Sequence, residues 1–119
     1  MTNWVEAICG LALVFRTGEK SIQQLFEPAL IHLDDRDVFL AAVSKRLREQ
    51  PRLIDAWQEY SWAKRTGRGP YFEQTSLEVG FYDKSSGHQD VHLHAHAVDA
   101  CADFILREAT WVLRGVRNN

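Results

Sequence analysis

Cysteine is scarce in this sequence, long apolar runs are missing, and neither charge sign dominates. The two cysteines, Cys9 and Cys101, are too few for a disulfide framework, and no CxxC pair suggests a zinc ribbon or a thioredoxin-like site. The apolar stretch 7–15 is much shorter than the roughly 20 residues of a membrane-spanning helix. The N-terminus lacks the basic residues of a signal peptide. We therefore expect a cytoplasmic protein that does not enter membranes.

The charge balance disfavours one class of partner. Fourteen Lys and Arg residues against sixteen Asp and Glu residues leave a net charge of -2. Proteins that bind nucleic acid usually carry a clear basic excess, so we do not expect nucleic acid as a partner. The segment 45–68 nevertheless holds seven basic and three acidic residues, whereas the segment 73–103 holds six acidic residues and one basic residue. This asymmetry predicts a basic side and an acidic side, which two solvated surfaces would also explain.

A complete set of catalytic residues is also missing. Gly67 and Gly69 are not followed by the GK[ST] ending of a phosphate-binding loop, and no HExxH zinc motif occurs. Ser85, His88 and Asp90 lie too close along the chain for a catalytic triad, whose members usually come from separate elements. A cysteine such as Cys101, on the apolar stripe of a predicted helix, is typical of a core.

Apolar residues recur at helical spacing through most of the chain. Four helical segments are predicted before Gly67, and three of them start at residues that favour the N-cap: Asn3, Ser21, and Asp34 or Asp35. The stretch 67–70 predicts a loop from its glycine and proline content. A last helix is predicted over 98–114.

Between the helical segments the apolar period changes to two, which indicates a β-hairpin. The predicted strands are about 76–82 and 88–96. A symmetric register about Ser85 gives an apolar face and a polar face. The apolar face pairs Val79 with Val91 and Leu77 with Leu93. The polar face pairs Tyr82 with His88, Glu78 with His92, and Ser76 with His94. A hairpin alone is marginal in water, so we expect the apolar face to pack on helices.

Together these elements predict an α+β fold in a single domain, residues 1–119. It comprises about four N-terminal helices, the hairpin and a C-terminal helix packed on the hairpin.

Three histidines, His92, His94 and His96, alternate along the second predicted strand. Same-face neighbours on a strand lie roughly 6.5–7 Å apart. A zinc–nitrogen bond is only about 2 Å long, so all three cannot share an ion on a straight strand. Two of them could, which makes a metal-dependent enzyme using His92 and His94, with Glu78 as third ligand, the alternative hypothesis. Because no further ligand set is present, we expect no metal and no cofactor.

The polar face of the hairpin is the candidate partner-binding site. Its residues are Glu78, Tyr82, Asp83, His88, Asp90, His92 and His94. Tyrosine beside charged groups is typical of interaction anchors. We therefore predict a non-enzymatic protein-binding domain with a specific, basic protein partner. The particular form we expect is an immunity or antitoxin-type neutraliser of a nuclease-like toxin. A nucleic-acid-associated module using the basic segment 45–68 is a third possibility.

Overall fold

The computed structural model describes residues 3–63 and 67–115. Its helices are α1 (Trp4–Cys9), α2 (Leu11–Val14), α3 (Ile22–Phe26), α4 (Arg36–Glu49), α5 (Arg52–Ala63) and α6 (Ala97–Arg114). Its strands, between α5 and α6, are β1 (Arg68–Glu73), β2 (Glu78–Asp83) and β3 (Gly87–Leu93). Two 3-10 helical turns, Phe15–Thr17 and Glu27–His32, follow α2 and α3. The α+β fold is confirmed, with most helices first and a C-terminal helix packed on an antiparallel sheet.

Side chains cap the starts of three helices, as their sequence positions predict. Asn3 accepts a hydrogen bond from the Val5 amide. Ser21 and Gln24 form a reciprocal capping box at α3. Asp35 accepts from the Val38 amide at α4. No helix within the described residues is long and apolar enough to cross a membrane.

Helix α6 lies at the centre of the core, and its residues from Ala100 to Thr110 are all buried. The Phe104 ring lies 5.9–6.2 Å from three other aromatic rings, those of Trp57, Tyr60 and Phe72. Aromatic rings at these separations pack favourably. Because Phe72 belongs to β1 and the other two rings belong to α5, this cluster joins the helices to the sheet.

Strand β1 occupies the place where a loop was predicted over 67–70, and that prediction is wrong. β1 pairs with β2 from Arg68↔Asp83 to Glu73↔Glu78. On α5, Ser61 Oγ accepts a hydrogen bond from the Phe72 amide, and Gln58 donates to the Phe72 carbonyl. These tertiary contacts stabilise an extended segment that its local glycine and proline content disfavours. Pro70 is compatible with this position because β1 is an edge strand of the sheet.

The hairpin register follows the prediction near the turn and departs from it farther along. Tyr82 lies opposite His88, as predicted. Beyond the next pair, Phe81 with Gln89, the register shifts by one, so that Val79 pairs with His92 and Glu78 pairs with Leu93. The cause is a β-bulge in which Asp90, with a positive φ of 52°, adds one residue to β3.

The bulge moves the far half of β3 to the opposite face from the one predicted. Val91 and Leu93 were expected to pack on helices, but their side chains are 46% and 69% exposed. His92 instead shares the face of the buried Val79. β3 also ends at Leu93 instead of continuing to residue 96. His96, predicted as a strand residue, is the N-cap of α6.

Candidate functional site

The two faces of the sheet have different chemistry. The side chains of Phe72, Val79 and Phe81 are buried, and the Phe81 ring lies 5.1 Å from the Trp111 ring of α6. We term this the inner face. The alternate positions form the outer face, which carries Tyr71, Glu73, Glu78, Tyr82 and His88. Alternation along each strand separates the two sets.

Tyr71 lies across the outer face, directly over Gly80. The two residues are paired in the register, and a Cβ at position 80 would come within 2.8 Å of the Tyr71 ring and hydroxyl. Glycine at this position therefore allows the close approach. The Tyr71 hydroxyl donates a hydrogen bond to Glu78 Oε2. Burial raises the pKa of Tyr71 above its ordinary value, and the hydrogen bond to Glu78 raises this pKa further.

A row of three rings crosses the outer face next to this hydrogen bond. The His88 ring lies 5.0 Å from the Tyr71 ring and 5.3 Å from the Tyr82 ring. Beside the row is a groove of about 320 Å³, which we term the outer groove. Its lining includes Trp62, Tyr71, Glu73, Glu78, Tyr82 and His88. Trp62 is 64% exposed, so an aromatic surface borders the groove from the side of α5.

Two carboxylates face each other across the strands of this groove. Glu73 pairs directly with Glu78 in the β1–β2 register. Like charges directly opposite each other destabilise a sheet. Neither glutamate forms an ion pair with any residue that the structure describes. Negative charge is therefore concentrated among aromatic rings on the outer face.

The structure brings only part of the predicted site together. Glu78, Tyr82 and His88 share the outer face. Asp83 instead stabilises the hairpin turn, where its side chain accepts hydrogen bonds from the amide and hydroxyl of Ser85. These hydrogen bonds lower the pKa of Asp83, and Arg68, whose Nε lies 3.3 Å from Asp83 Oδ2, lowers it further. Asp83 therefore has a structural role in the turn.

The remaining three predicted residues lie at or beyond the bulge. Asp90 is the bulged residue, and its carbonyl accepts a hydrogen bond from Arg107. His92 takes the inner-face register, and His94 follows the end of β3. The prediction of one continuous polar face is wrong here because the bulge reverses the alternation after Asp90.

His94 joins a second polar cluster, which we term the Asp103 cluster. His94 Nε2 lies 2.9 Å from Asp103 Oδ2, and Arg107 Nε donates to Asp103 Oδ1 at 2.9 Å. Arg36 of α4 adds a longer ion pair of 3.8 Å to the same carboxylate, which is buried. Asp103 and Arg107 were missed as site residues. Their i,i+4 spacing within an otherwise apolar helical stripe was the available signal.

The geometry gives little support to a metal site on this strand. The His92 and His94 rings lie 5.6 Å apart, while Glu78, the expected third ligand, lies on the outer face. Within residues 3–63 and 67–115, no three His, Cys, Asp or Glu side chains are grouped so that they could hold a metal ion.

Comparison of the chain with protein-family models, with curated proteins and with solved structures gave no match. The interpretation of the outer groove therefore depends on its own chemistry.

Proposed function

We propose that this chain is a non-enzymatic protein-binding domain, and that a basic protein partner docks on its outer face. One observation carries this proposal: the Glu73–Glu78 pair lies in a groove bordered by exposed aromatic side chains. The partner-binding residues are then Glu73, Glu78, Tyr82 and His88, together with Trp62. Tyr71 positions the Glu78 carboxylate through its hydrogen bond.

A basic side chain of the partner would compensate the charge in this groove. A lysine or arginine placed between Glu73 and Glu78 would replace a like-charge repulsion with two attractions. The guanidinium group of arginine would also stack on the exposed ring of Trp62 or Tyr82. Aromatic side chains are enriched at protein interfaces, and polar groups form the rim around them.

The particular partner we propose is a nuclease-type toxin, which makes the chain an immunity or antitoxin-type neutraliser. Surfaces that bind nucleic acid are basic because they contact phosphates. An acidic, aromatic face could occupy such a surface and exclude the nucleic acid. We place this encounter in the cytoplasm, where buried thiols such as those of Cys9 and Cys101 stay reduced. The alternative metal-dependent enzyme has less support because Glu78, its expected third ligand, lies on the opposite face of the sheet from His92.

The test begins with the immobilised chain, host extract at low salt, and identification of the captured protein. Binding of the purified partner is then measured for the parent and two outer-face variants. Tyr82→Ala is expected to weaken binding by about 2 kcal/mol if Tyr82 is an anchor. Glu73→Lys is expected to slow association and to reduce its dependence on salt. Ile31→Ala in the 3-10 turn Glu27–His32 and Asp37→Lys on α4 change exposed residues outside the sheet and should leave binding unchanged.

Three results would count against the proposal at different levels. If folded Tyr82→Ala and Glu73→Lys variants bind like the parent, the outer face is not the interface, and the segment 45–68 becomes the next candidate. If the partner is acidic or its association is independent of salt, the charge argument is wrong. If a basic partner has no nuclease activity that the chain inhibits, only the neutraliser role is wrong.

A further inference from the structure

The outer groove has the size of a site for one side chain. Its volume of about 320 Å³ is at the lower end of the range of roughly 300–1,000 Å³ that is usual for small-molecule sites. A helix with its side chains has a diameter of about 10 Å, so a helix would cover this groove without entering it. A partner that enters the groove therefore inserts a single projecting side chain.

Two carboxylates supply hydrogen-bond acceptors in the groove, and they belong to different strands. Glu73 is on β1, and Glu78 is paired with it from β2. Side chains paired in this way have Cβ atoms roughly 5 Å apart. Among the described residues, only Tyr71 donates a hydrogen bond to either carboxylate, and it uses Oε2 of Glu78. Oε1 of Glu78 and both oxygens of Glu73 can therefore accept hydrogen bonds from a ligand.

Aromatic rings supply flat surfaces beside these acceptors. The Trp62 side chain of α5 is 64% exposed and lines the groove. Tyr82 of β2 is 38% exposed, and its ring lies 5.3 Å from the His88 ring of β3. Aromatic faces attract cations, and a planar cation can stack on them. Because the rings and the carboxylates line the same groove, one ligand group can contact both.

The described lining of the groove contains no lysine or arginine. The Arg107 guanidinium, whose charge influences Tyr71, is buried on α6. It donates to the Asp103 carboxylate and to the Asp90 carbonyl and is not part of the lining. We therefore expect the cation that compensates the two glutamates to come from a ligand.

An arginine side chain suits this arrangement better than a lysine side chain. Guanidinium is planar and carries five N–H donors, so its edges can donate to two carboxylates while its faces contact rings. The lysine ammonium is a compact, strongly hydrated charge without a flat face. A quaternary ammonium group is attracted to aromatic faces but has no N–H to donate to the carboxylates.

We propose that the outer groove is a recognition site for one arginine side chain of the partner, which it selects over lysine. The guanidinium edges contact the two carboxylates, and its faces lie against the rings of Trp62 and Tyr82. Tyr71 is a positioning residue, since its hydroxyl holds the Glu78 carboxylate. The inference rests on the protein-binding function proposed above and specifies the side chain that the outer face accepts.

Four tripeptides test this chemistry without the partner. Each has a central residue between two glycines and has blocked termini, which removes the terminal charges. The central residue is arginine, lysine, trimethyl-lysine, or citrulline, the neutral analogue of arginine. Each is titrated into the full chain in low salt at about pH 7.5, where the first three are cationic, and amide and indole NMR signals are followed.

The arginine peptide should shift the signals of the Trp62 indole and the Glu78 amide. It should bind about threefold or more tightly than the lysine peptide, because only guanidinium combines paired hydrogen bonds with stacking. The trimethyl-lysine peptide should bind less tightly than the arginine peptide, because it donates no hydrogen bond. The citrulline peptide should bind most weakly, because it carries no charge.

Three variants assign the selectivity to the groove. Trp62→Leu removes an exposed ring and should reduce the preference for arginine over lysine to less than about twofold. Glu73→Gln should weaken the arginine peptide about threefold, because one carboxylate is lost. Tyr71→Phe keeps the ring and should lower the preference for arginine, which a purely structural role would leave unchanged. Ile31→Ala and Asp37→Asn are the matched controls at exposed positions outside the sheet and should change no affinity.

The proposal is overturned if lysine or trimethyl-lysine binds as tightly as arginine, or if arginine shifts no signal of the outer face. A preference for arginine that is unchanged in Trp62→Leu and Glu73→Gln also overturns it. Failure of the protein-binding function is distinguishable. If the tripeptides show the preference but no protein partner binds the outer face, only the protein-binding function is wrong. If a partner binds that face while the tripeptides show no preference, only the arginine site is wrong.

Discussion

The Asp103 cluster and the outer groove contain the same chemical group in opposite settings. Asp103 is one buried carboxylate that contacts two guanidinium groups and an imidazole. In the outer groove, Glu73 and Glu78 are two carboxylates that face each other without an ion pair to any described residue. In the Asp103 cluster the negative charge is compensated by side chains of the same fold. In the outer groove, two negative charges face each other with no cationic side chain of the described residues paired to them. Repulsion between two like charges of this kind is relieved when a group of opposite charge binds beside them.

The two regions should also differ in how the loss of a carboxylate changes stability and partner binding. The Asp103 cluster links α4, α6 and the chain after β3, so removing its carboxylate should damage the fold. The outer groove contributes repulsion, so neutralising one of its carboxylates should improve stability while weakening the partner complex. Measurements of the free energy of unfolding test this contrast.

Asp103→Ala should lower the free energy of unfolding by about 3 kcal/mol or more, because it leaves Arg107 buried without its carboxylate. Urea unfolding measures this. Asp99→Ala, an exposed position one turn earlier in α6, is the control and should cost less than about 1 kcal/mol, since only a helix-dipole interaction is lost. Equal losses in the two variants would show that the Asp103 cluster is not a special source of stability.

Gly80→Ala should lower the free energy of unfolding by about 1–3 kcal/mol, because the new Cβ displaces the Tyr71 ring. In a Tyr71→Ala background the same substitution should cost much less, which urea unfolding of the double-mutant cycle measures. Gly67→Ala meets only ordinary contacts with Lys84 and should be nearly neutral. If the loss in Gly80→Ala is independent of Tyr71, the proposed close approach is not its cause.

Glu73→Gln should raise the free energy of unfolding by about 0.5 kcal/mol, because it removes one member of the like-charge pair. The gain should shrink in high salt, which screens exposed charges. Glu59→Gln, an exposed glutamate on α5, serves as the control. A loss of stability in Glu73→Gln would mean that the pair is already compensated.

Tyr71 should produce a small loss of stability in alkaline solution. The phenol of an unfolded chain ionises near about pH 10, whereas the pKa of Tyr71 is raised in the fold. Above about pH 10 the unfolded state therefore releases its proton first, and stability falls as the pH rises. Urea unfolding at increasing alkaline pH should show a steeper fall for the parent than for Tyr71→Phe. Parallel curves for the two proteins would contradict the raised pKa.

Local patterns in the sequence accounted for much of the fold. The correctly predicted features depend on residues that are near one another in the sequence. They are the helix caps at Asn3, Ser21 and Asp35, the hairpin turn with Tyr82 opposite His88, and the C-terminal helix. Because residues close by in the sequence determine each of these features, hydrophobic periodicity and N-cap residues were sufficient to predict them.

Two predictions were wrong, the loop over 67–70 and the regular second strand of the hairpin. In both segments, contacts between distant parts of the chain determine the structure. β1 depends on Gln58 and Ser61 of α5, and the local composition of 67–70 contains no sign of these hydrogen bonds. The bulge places a non-glycine residue, Asp90, at positive φ, where Arg107 of α6 binds its carbonyl. Alternation alone predicted a regular strand, and one inserted residue was enough to divide the predicted site between two faces.

The bulge in β3 also determines how this sheet can meet other chains. β3 is an edge strand, and a straight, regular edge would be a template for adding strands from another molecule. The left-handed residue Asp90 interrupts that template, and the Arg107 guanidinium covers its carbonyl. Contact through the broad surface of the sheet is thereby favoured over contact along its rim. The inserted residue thus disfavours edge-to-edge pairing with another chain, even though Val91 and Leu93 are exposed on this strand.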